Sequence, residues 1–263
     1  MKLFRIGLLS TCIMLFAACG NYVEEYSLKS DGSGLYNVYS DVISGSADMG
    51  TALAIEFSDE DLTAGQIDSI KKVVTETIWE QYPGKTDSIV DLLAVLPDSF
   101  LDYKNNRKYA ERLVVYLNGS KERGFVNMGA QVSFRNTEDF LEFSEFFERL
   151  QNVKISGSSG ASLVGNFSET KSKTDYVLNE KSFGRSVTFS EVEMDDIEPT
   201  TGLMMEVLGK NGTYTTIVHT AKKIMSVTGE NVVSQEDYKV VFEYPLSEYL
   251  AGELNTDFEI VFE

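Results

Sequence analysis

The feature that most constrains this chain is the way its apolar residues change period. From Tyr22 to Ser30 they alternate around Tyr22, Tyr26 and Leu28; Asp31-Gly32-Ser33-Gly34 follows, and Leu35 to Ile43 resumes the alternation. A period of two on both sides of an Asp-Gly turn marks a β-hairpin, because an extended strand sends alternate side chains to one face. Arg112 to Leu117, then Asn118-Gly119, then Phe125 to Phe134 predict a second hairpin that turns at Asn118-Gly119.

Elsewhere the period lengthens. Ile67, Ile70, Val74 and Ile78 fall on one stripe of a helix predicted over 59–82. Ser58 is its expected cap, Asp59, Glu60 and Asp61 suit the dipole of its first turn, and Pro83-Gly84 stops it. A further helix is expected over 87–96, burying Ile89, Leu92, Leu93 and Leu96, with Pro97 as stop; Leu53 to Phe57 reads as a short strand. Asn136-Thr137-Glu138-Asp139 opens a helix whose buried face is Phe140, Phe143, Phe147 and Leu150. An aromatic stripe at that spacing belongs to a core.

Ser156 to Gly160 is a Gly/Ser joint. Beyond it strand-like runs dominate: 176–178, 186–189, 203–208, 214–219, 223–227, 238–244 and 257–262, with a helical turn at 245–250. Hairpins followed by helices, with little βαβ alternation, predict an α+β fold: antiparallel sheet with helices on one face. The organisation expected is a leader over 1–18, an N-terminal α+β half over 19–155 and a mainly β half over 161–263, the two halves forming one domain or two.

The start, MKLFRIGLLSTCIMLFAAC, carries Lys2 and Arg5, an apolar run over 6–18 and the small pair Ala17-Ala18 before Cys19. That order is a secretory signal, and the run is too short to span a bilayer, which takes about 20 residues. Phe16-Ala17-Ala18-Cys19 resembles the bacterial lipobox, with Phe16 where an aliphatic residue is usual. The resemblance implies cleavage before Cys19, diacylglyceryl transfer to its sulfur, and a further acyl chain such as palmitate on the new amine. Two or more chains hold a protein firmly at a membrane, at about 0.8 kcal/mol per buried methylene. Gly20 replaces the Asp that retains such proteins at the inner membrane, so the outer membrane is the expected place, with the face it occupies left open. Asn21-Tyr22-Val23-Glu24-Glu25 loosely resembles the acidic export tether of Bacteroidota surface lipoproteins, and the strand-DGSG-strand start is similar to them too.

Removing the leader takes the formal charge from −18 to −20. So acidic a body repels phosphate backbones, which excludes nucleic acid as a partner and leaves the lipid to hold the protein at a membrane. An apolar fraction of 43 %, with 16 Phe and 13 Tyr, supports a true core. Cys12 and Cys19 are the only cysteines; with Cys12 removed and Cys19 acylated, no thiol, disulfide or Cys metal site remains.

No catalytic set assembles from the sequence. His219 is the single histidine and reads as a structural strand residue. Glu191, Glu193, Asp195, Asp196 and Glu198 lack EF-hand spacing and read as a solvated run. Gly84-Lys85-Thr86 has Trp79 where a phosphate loop needs Gly, and Ser69-x-x-Lys72 lacks its companion Lys-Thr-Gly. Asp68-Ser69-Ile70 and Asp87-Ser88-Ile89 match a short O-glycosylation pattern of exported Bacteroidota proteins. The expectation is a non-enzymatic envelope lipoprotein without cofactor or metal, partnered by the bilayer through Cys19 and by an envelope protein or glycan. Three alternatives stand beside it. A glycan-binding accessory protein would use Tyr and Trp79 as platforms, a carboxylate hydrolase would need two facing acids, and an acyl-chain carrier would need an apolar cavity.

Overall fold

A computed structural model describes residues 21–56, 58, 62–82, 90–151, 153, 172–189 and 212–263. The leader, Cys19, the 156–160 joint, the 203–208 run, the 191–198 acids, Gly84-Lys85-Thr86 and Asp87-Ser88-Ile89 lie outside these residues.

β1 (Asn21–Leu28) and β2 (Gly34–Asp41) pair antiparallel with Tyr26 opposite Tyr36, as the alternation predicts. Asp31 accepts from the backbone and hydroxyl of Ser33, and Gly32 takes φ 79°, a conformation glycine adopts without strain. β3 (Val114–Ser120) and β4 (Phe125–Phe134) form the second hairpin. Its turn is displaced from the expected Asn118-Gly119. Both residues are paired within β3, and residues 121–124 turn instead, with Gly124 at φ 71°. A turn at 118–119 would strip the buried start of β4 of its partner. Gly119 serves close approach, since a Cβ there would lie 2.8 Å from the Phe125 carbonyl oxygen.

The remaining strands among the described residues are β5 (Ser172–Leu178), β6 (Ser182–Phe189), β7 (Thr213–Thr220), β8 (Ile224–Gly229), β9 (Val232–Glu236), β10 (Lys239–Pro245) and β11 (Phe258–Phe262). They complete two sheets. One has seven strands in the order β3-β4-β2-β1-β7-β10-β9; the other has four in the order β5-β6-β11-β8. Pairing is antiparallel except between β1 and β7, which run parallel. Residues on both sides of the 156–160 joint therefore share the larger sheet. The edge strand β9 gave no sequence signal because four of its five residues are exposed and it buries no face.

Among the described residues the helices are α1 (Val42–Glu56), α2 (Ala64–Gln81), α3 (Leu92–Val95), α4 (Asp98–Leu101), α5 (Asn106–Ala110), α6 (Thr137–Gln151) and α7 (Leu246–Ala251). Leu53 to Phe57, expected as a strand, belongs to α1 as far as Glu56. The buried residues Ile43, Ala47 and Thr51 recur every four positions, and small residues hide the period. Those small residues let α2 close in: a Cβ at Gly50 would lie 3.1 Å from Val74. α2 starts later than expected. Thr63, not Ser58, caps it in a reciprocal capping box with Gln66. Of the helix expected over 87–96, the described part is the single turn α3, capped by Asp91.

α6 packs against both sheets, and Phe140, Phe143, Phe146, Phe147 and Leu150 are buried on its inner face. Asp139 fastens its first turn to α5. Both carboxylate oxygens take the Arg112 guanidinium at 2.8 Å, and Lys108 and the Arg135 amide also donate. Arg112, offset by desolvation but joined by Arg135 and Lys108, holds the Asp139 carboxyl well below the usual carboxylate range. Burial pushes the neighbouring Tyr109 hydroxyl up to about 12. A carboxyl depressed in the folded state contributes stability that is present above its unfolded value of about 3.9 and fades as the pH falls below it. Asp139→Asn should thus cost about 2 kcal/mol in a pH 7 urea melt. The gap to the parent should narrow between pH 5 and pH 2; a gap independent of pH would count against this brace.

Candidate functional site

Period-two geometry places Tyr22, Glu24 and Tyr26 on the inner face of β1, and the parallel register sets Tyr22 beside Tyr214 and Glu24 beside Thr216 of β7. Tyr36 of β2 joins them from the other flank. From the facing sheet, β6 sends in Arg185. Its guanidinium pairs with Glu24 Oε2 and donates to the Tyr214 hydroxyl at 2.7 Å, Thr216 Oγ1 at 3.2 Å and the Thr256 carbonyl at 3.1 Å. Tyr36 donates to Glu24 Oε1 at 3.0 Å, and Tyr214 donates to Oε2. The Glu24 and Arg185 side chains are 8 % and 2 % exposed, so the pair sits in low dielectric.

Burial alone would lower the Arg185 guanidinium; Tyr214 and Glu24 more than offset it and carry it above its ordinary value. Burial pushes the Tyr214 and Tyr36 hydroxyls well up, with Arg185 opposing at Tyr214 and Glu24 adding at Tyr36. These tyrosines stay neutral and act as fixed hydrogen-bond donors.

Around this pair lies a cavity of about 90 Å³, room for about three waters or one small chemical group. Stacked rings make one wall: Tyr22 on Tyr214 at 5.5 Å and Tyr214 on Tyr249 of α7 at 4.0 Å. Phe143, Phe147, Ser144 and Glu148 of α6 and Thr174 and Tyr176 of β5 line it as well. A wider hollow of about 490 Å³ lies among the loops bearing Lys29, Asp31, Glu180 and Lys222. Its charges are of both signs and partly spent: Lys222 donates to the Glu180 carbonyl, and Asp31 is held by Ser33.

Of the residues weighed in the sequence, His219, Ser69, Lys72 and Trp79 fall outside the cavity, and Glu24 lines it. His219 is on the opposite face of β7, where it pairs with Glu25 Oε1 at 2.9 Å. Glu24 and Glu25 are strand residues of β1, one buried and one facing outward, not a tether. Ser69 and Lys72 are on an exposed side of α2, where Ser69 donates to the Gly65 carbonyl and Lys72 pairs with Glu76. Trp79 packs edge-on to Tyr82 at 5.5 Å, against the cluster of Val42, Ile43, Val126 and Met128, so it is no open platform. Sequence reasoning missed Glu24 and Arg185 as partners. The available signal was an acid at an inward position between Tyr22 and Tyr26.

No protein-family model matches the chain, and no curated protein matches it. Among solved structures, the NMR structure of the folded domain of LppM from Mycobacterium tuberculosis aligns with 92 % of this chain and 88 % of that one, at 7 % identity and a TM-score of 0.39. A likeness that loose assigns no function.

Proposed function

We propose that this chain is a cell-envelope lipoprotein, held at the outer membrane through acylated Cys19, and a non-enzymatic binding module that takes its ligand in the tyrosine-walled cavity. One observation carries the binding reading: the Glu24–Arg185 pair is fixed in the cavity wall with its acceptors already committed. A carboxylate holding a guanidinium and two phenols is not free to act as base or nucleophile, which argues against the hydrolase alternative although Glu148 lines the same space. Prearranged rings and hydroxyls suit recognition of a small, partly apolar group. The leader and the lipobox-like Phe16 to Cys19 support the anchor. Tyr214 is buried, Tyr22 and Tyr249 are partly buried and Trp79 is packed, which favours a ligand inside the cavity over a sugar lying on a surface platform.

Native mass spectrometry of protein extracted from its own envelopes tests both parts. The expected mass lacks residues 1–18, carries the lipid on Cys19, and includes a non-covalent adduct released on denaturation. Ser144→Trp, which fills the cavity mouth, should abolish the adduct. An unmodified Cys19 would end the anchor reading, and a parent protein without adduct would end the cavity reading.

A further inference from the structure

The strand registers sort the molecule into two ends. Asn21 of β1 lies beside Thr213 of β7, Tyr22 beside Ser40 of β2, Asp41 beside Asn127 of β4, Ser120 beside Phe125, and Pro245 beside Thr213. That end carries the start of β1, the exit of β2 into α1, the 121–124 turn and the exit of β10 into α7. The other end carries Leu28, Gly34, Phe134, Thr220 and Lys239. Eight-residue strands separate the two ends by about 26 Å.

Cys19 precedes Asn21 by two residues, a reach of about 7 Å at most. An acyl anchor on Cys19 therefore fixes which end faces the bilayer, with no room for the body to stand off. α1 has two acids and no base in fifteen residues. Its first turn packs Val42 and Ile43 on Val126 and Met128; farther along it is partnered by α2, through Asp48–Lys71 at 3.0 Å and Gly50 against Val74. Ile55 of α1 and Val73 of α2 are 51 % and 61 % exposed. Beside the hairpin, the exposed 121–124 turn presents Lys121 and Arg123 on either side of Glu122.

We infer that the α1–α2 hairpin, with the Lys121–Arg123 turn at its side, rests on the lipid surface next to the anchor, Ile55 and Val73 lying in the interface. The inference rests on the lipoprotein reading above. It assigns the body an orientation: the α1–α2 hairpin and the 121–124 turn against the bilayer, the β7–β8 and β9–β10 turns away from it. Apolar side chains entering the interface add binding in proportion to the area they bury, and the flanking cations hold the headgroups.

The acylated full-length protein has no other reactive thiol once Cys12 is removed and Cys19 is modified, so single cysteines report cleanly. Ile55→Cys, Val73→Cys, Met225→Cys and Tyr238→Cys, all at exposed positions, would each carry an NBD fluorophore. Each protein would be reconstituted in phosphatidylcholine vesicles containing nitroxide-labelled acyl chains. Quenching at 55 and 73 is expected to exceed that at 225 and 238 at least threefold. Equal quenching at all four sites overturns the proposal. The intact mass of the same samples reports Cys19 acylation separately, so loss of the anchor and loss of the hairpin contact are told apart.

Discussion

Replacing Arg185 with methionine is expected to lower the stability of the fold by about 3–5 kcal/mol, because it leaves Glu24 buried without its counter-ion. Against a total of about 5–15 kcal/mol, that is a large share. Glu24 would retain the Tyr36 and Tyr214 hydroxyls, which cannot neutralise it. The Phe258 ring, 5.0 Å from the guanidinium carbon, would also lose its cation. The converse matters as much: Glu24→Met with Arg185→Met removes both charges and should recover most of the loss, since buried pairs often do no better than apolar residues of similar volume. Urea melts of the two single variants and the double variant close the cycle. A cost below about 1 kcal/mol for Arg185→Met would mean that water reaches the pair, contrary to its burial.

If the double variant is as stable as the parent, the pair is retained for something other than stability. Loss of the co-purifying adduct in a fully folded double variant would then assign the charges to the ligand.

How much of this was legible follows from how far each signal reaches along the chain. The first hairpin announced itself because Tyr22, Tyr26 and Leu28 alternate beside an Asp-Gly turn, all within a few residues. α6 did too, since Phe140, Phe143, Phe147 and Leu150 share one face whatever they pack against. The second hairpin was legible as a pair of strands but not in its turn. Asn-Gly is a strong local turn signal, yet Val126 needed a partner, and pairing across the sheet outweighed the local preference. α1 failed for a related reason. Its glycines lower helix propensity, its small residues weaken the apolar period, and its close packing with α2 is a contact that no window on α1 alone contains.

The cavity was the least legible part. Glu24 and Arg185 are 161 residues apart, and each alone looks like an ordinary strand charge. Only the parallel pairing of β1 with β7, joining segments nearly two hundred residues apart, sets Glu24 beside Thr216 and opposite β6. Local hydrophobic periodicity cannot reveal a long-range parallel partner.

Phe140→Ala should be about as costly, at roughly 3–5 kcal/mol for a fully buried phenylalanine. Its ring meets Tyr26 and Phe134 of the larger sheet at 6.2 and 4.9 Å, and Tyr176 and Phe183 of the smaller sheet at 5.0 and 6.2 Å. One side chain on α6 thus touches both sheets, and truncating it opens a void that neither sheet can close alone. The neighbouring Leu141→Ala, on the exposed side of the same turn, is the control and should cost within about 0.5 kcal/mol. A double-mutant cycle with Phe183→Leu should return a coupling of about 0.5–1.5 kcal/mol, the usual worth of an edge-to-face pair beyond its buried area. The optical probes divide usefully. Trp79 fluorescence reports the cluster under α1 and α2, and tyrosine near-UV circular dichroism reports the region around the cavity. If α6 ties both sheets into one unit, the two signals unfold at the same urea concentration in the parent and shift together in Phe140→Ala. A shift confined to the tyrosine signal would mean that the α1–α2 end, with its own apolar cluster, unfolds independently of the main core.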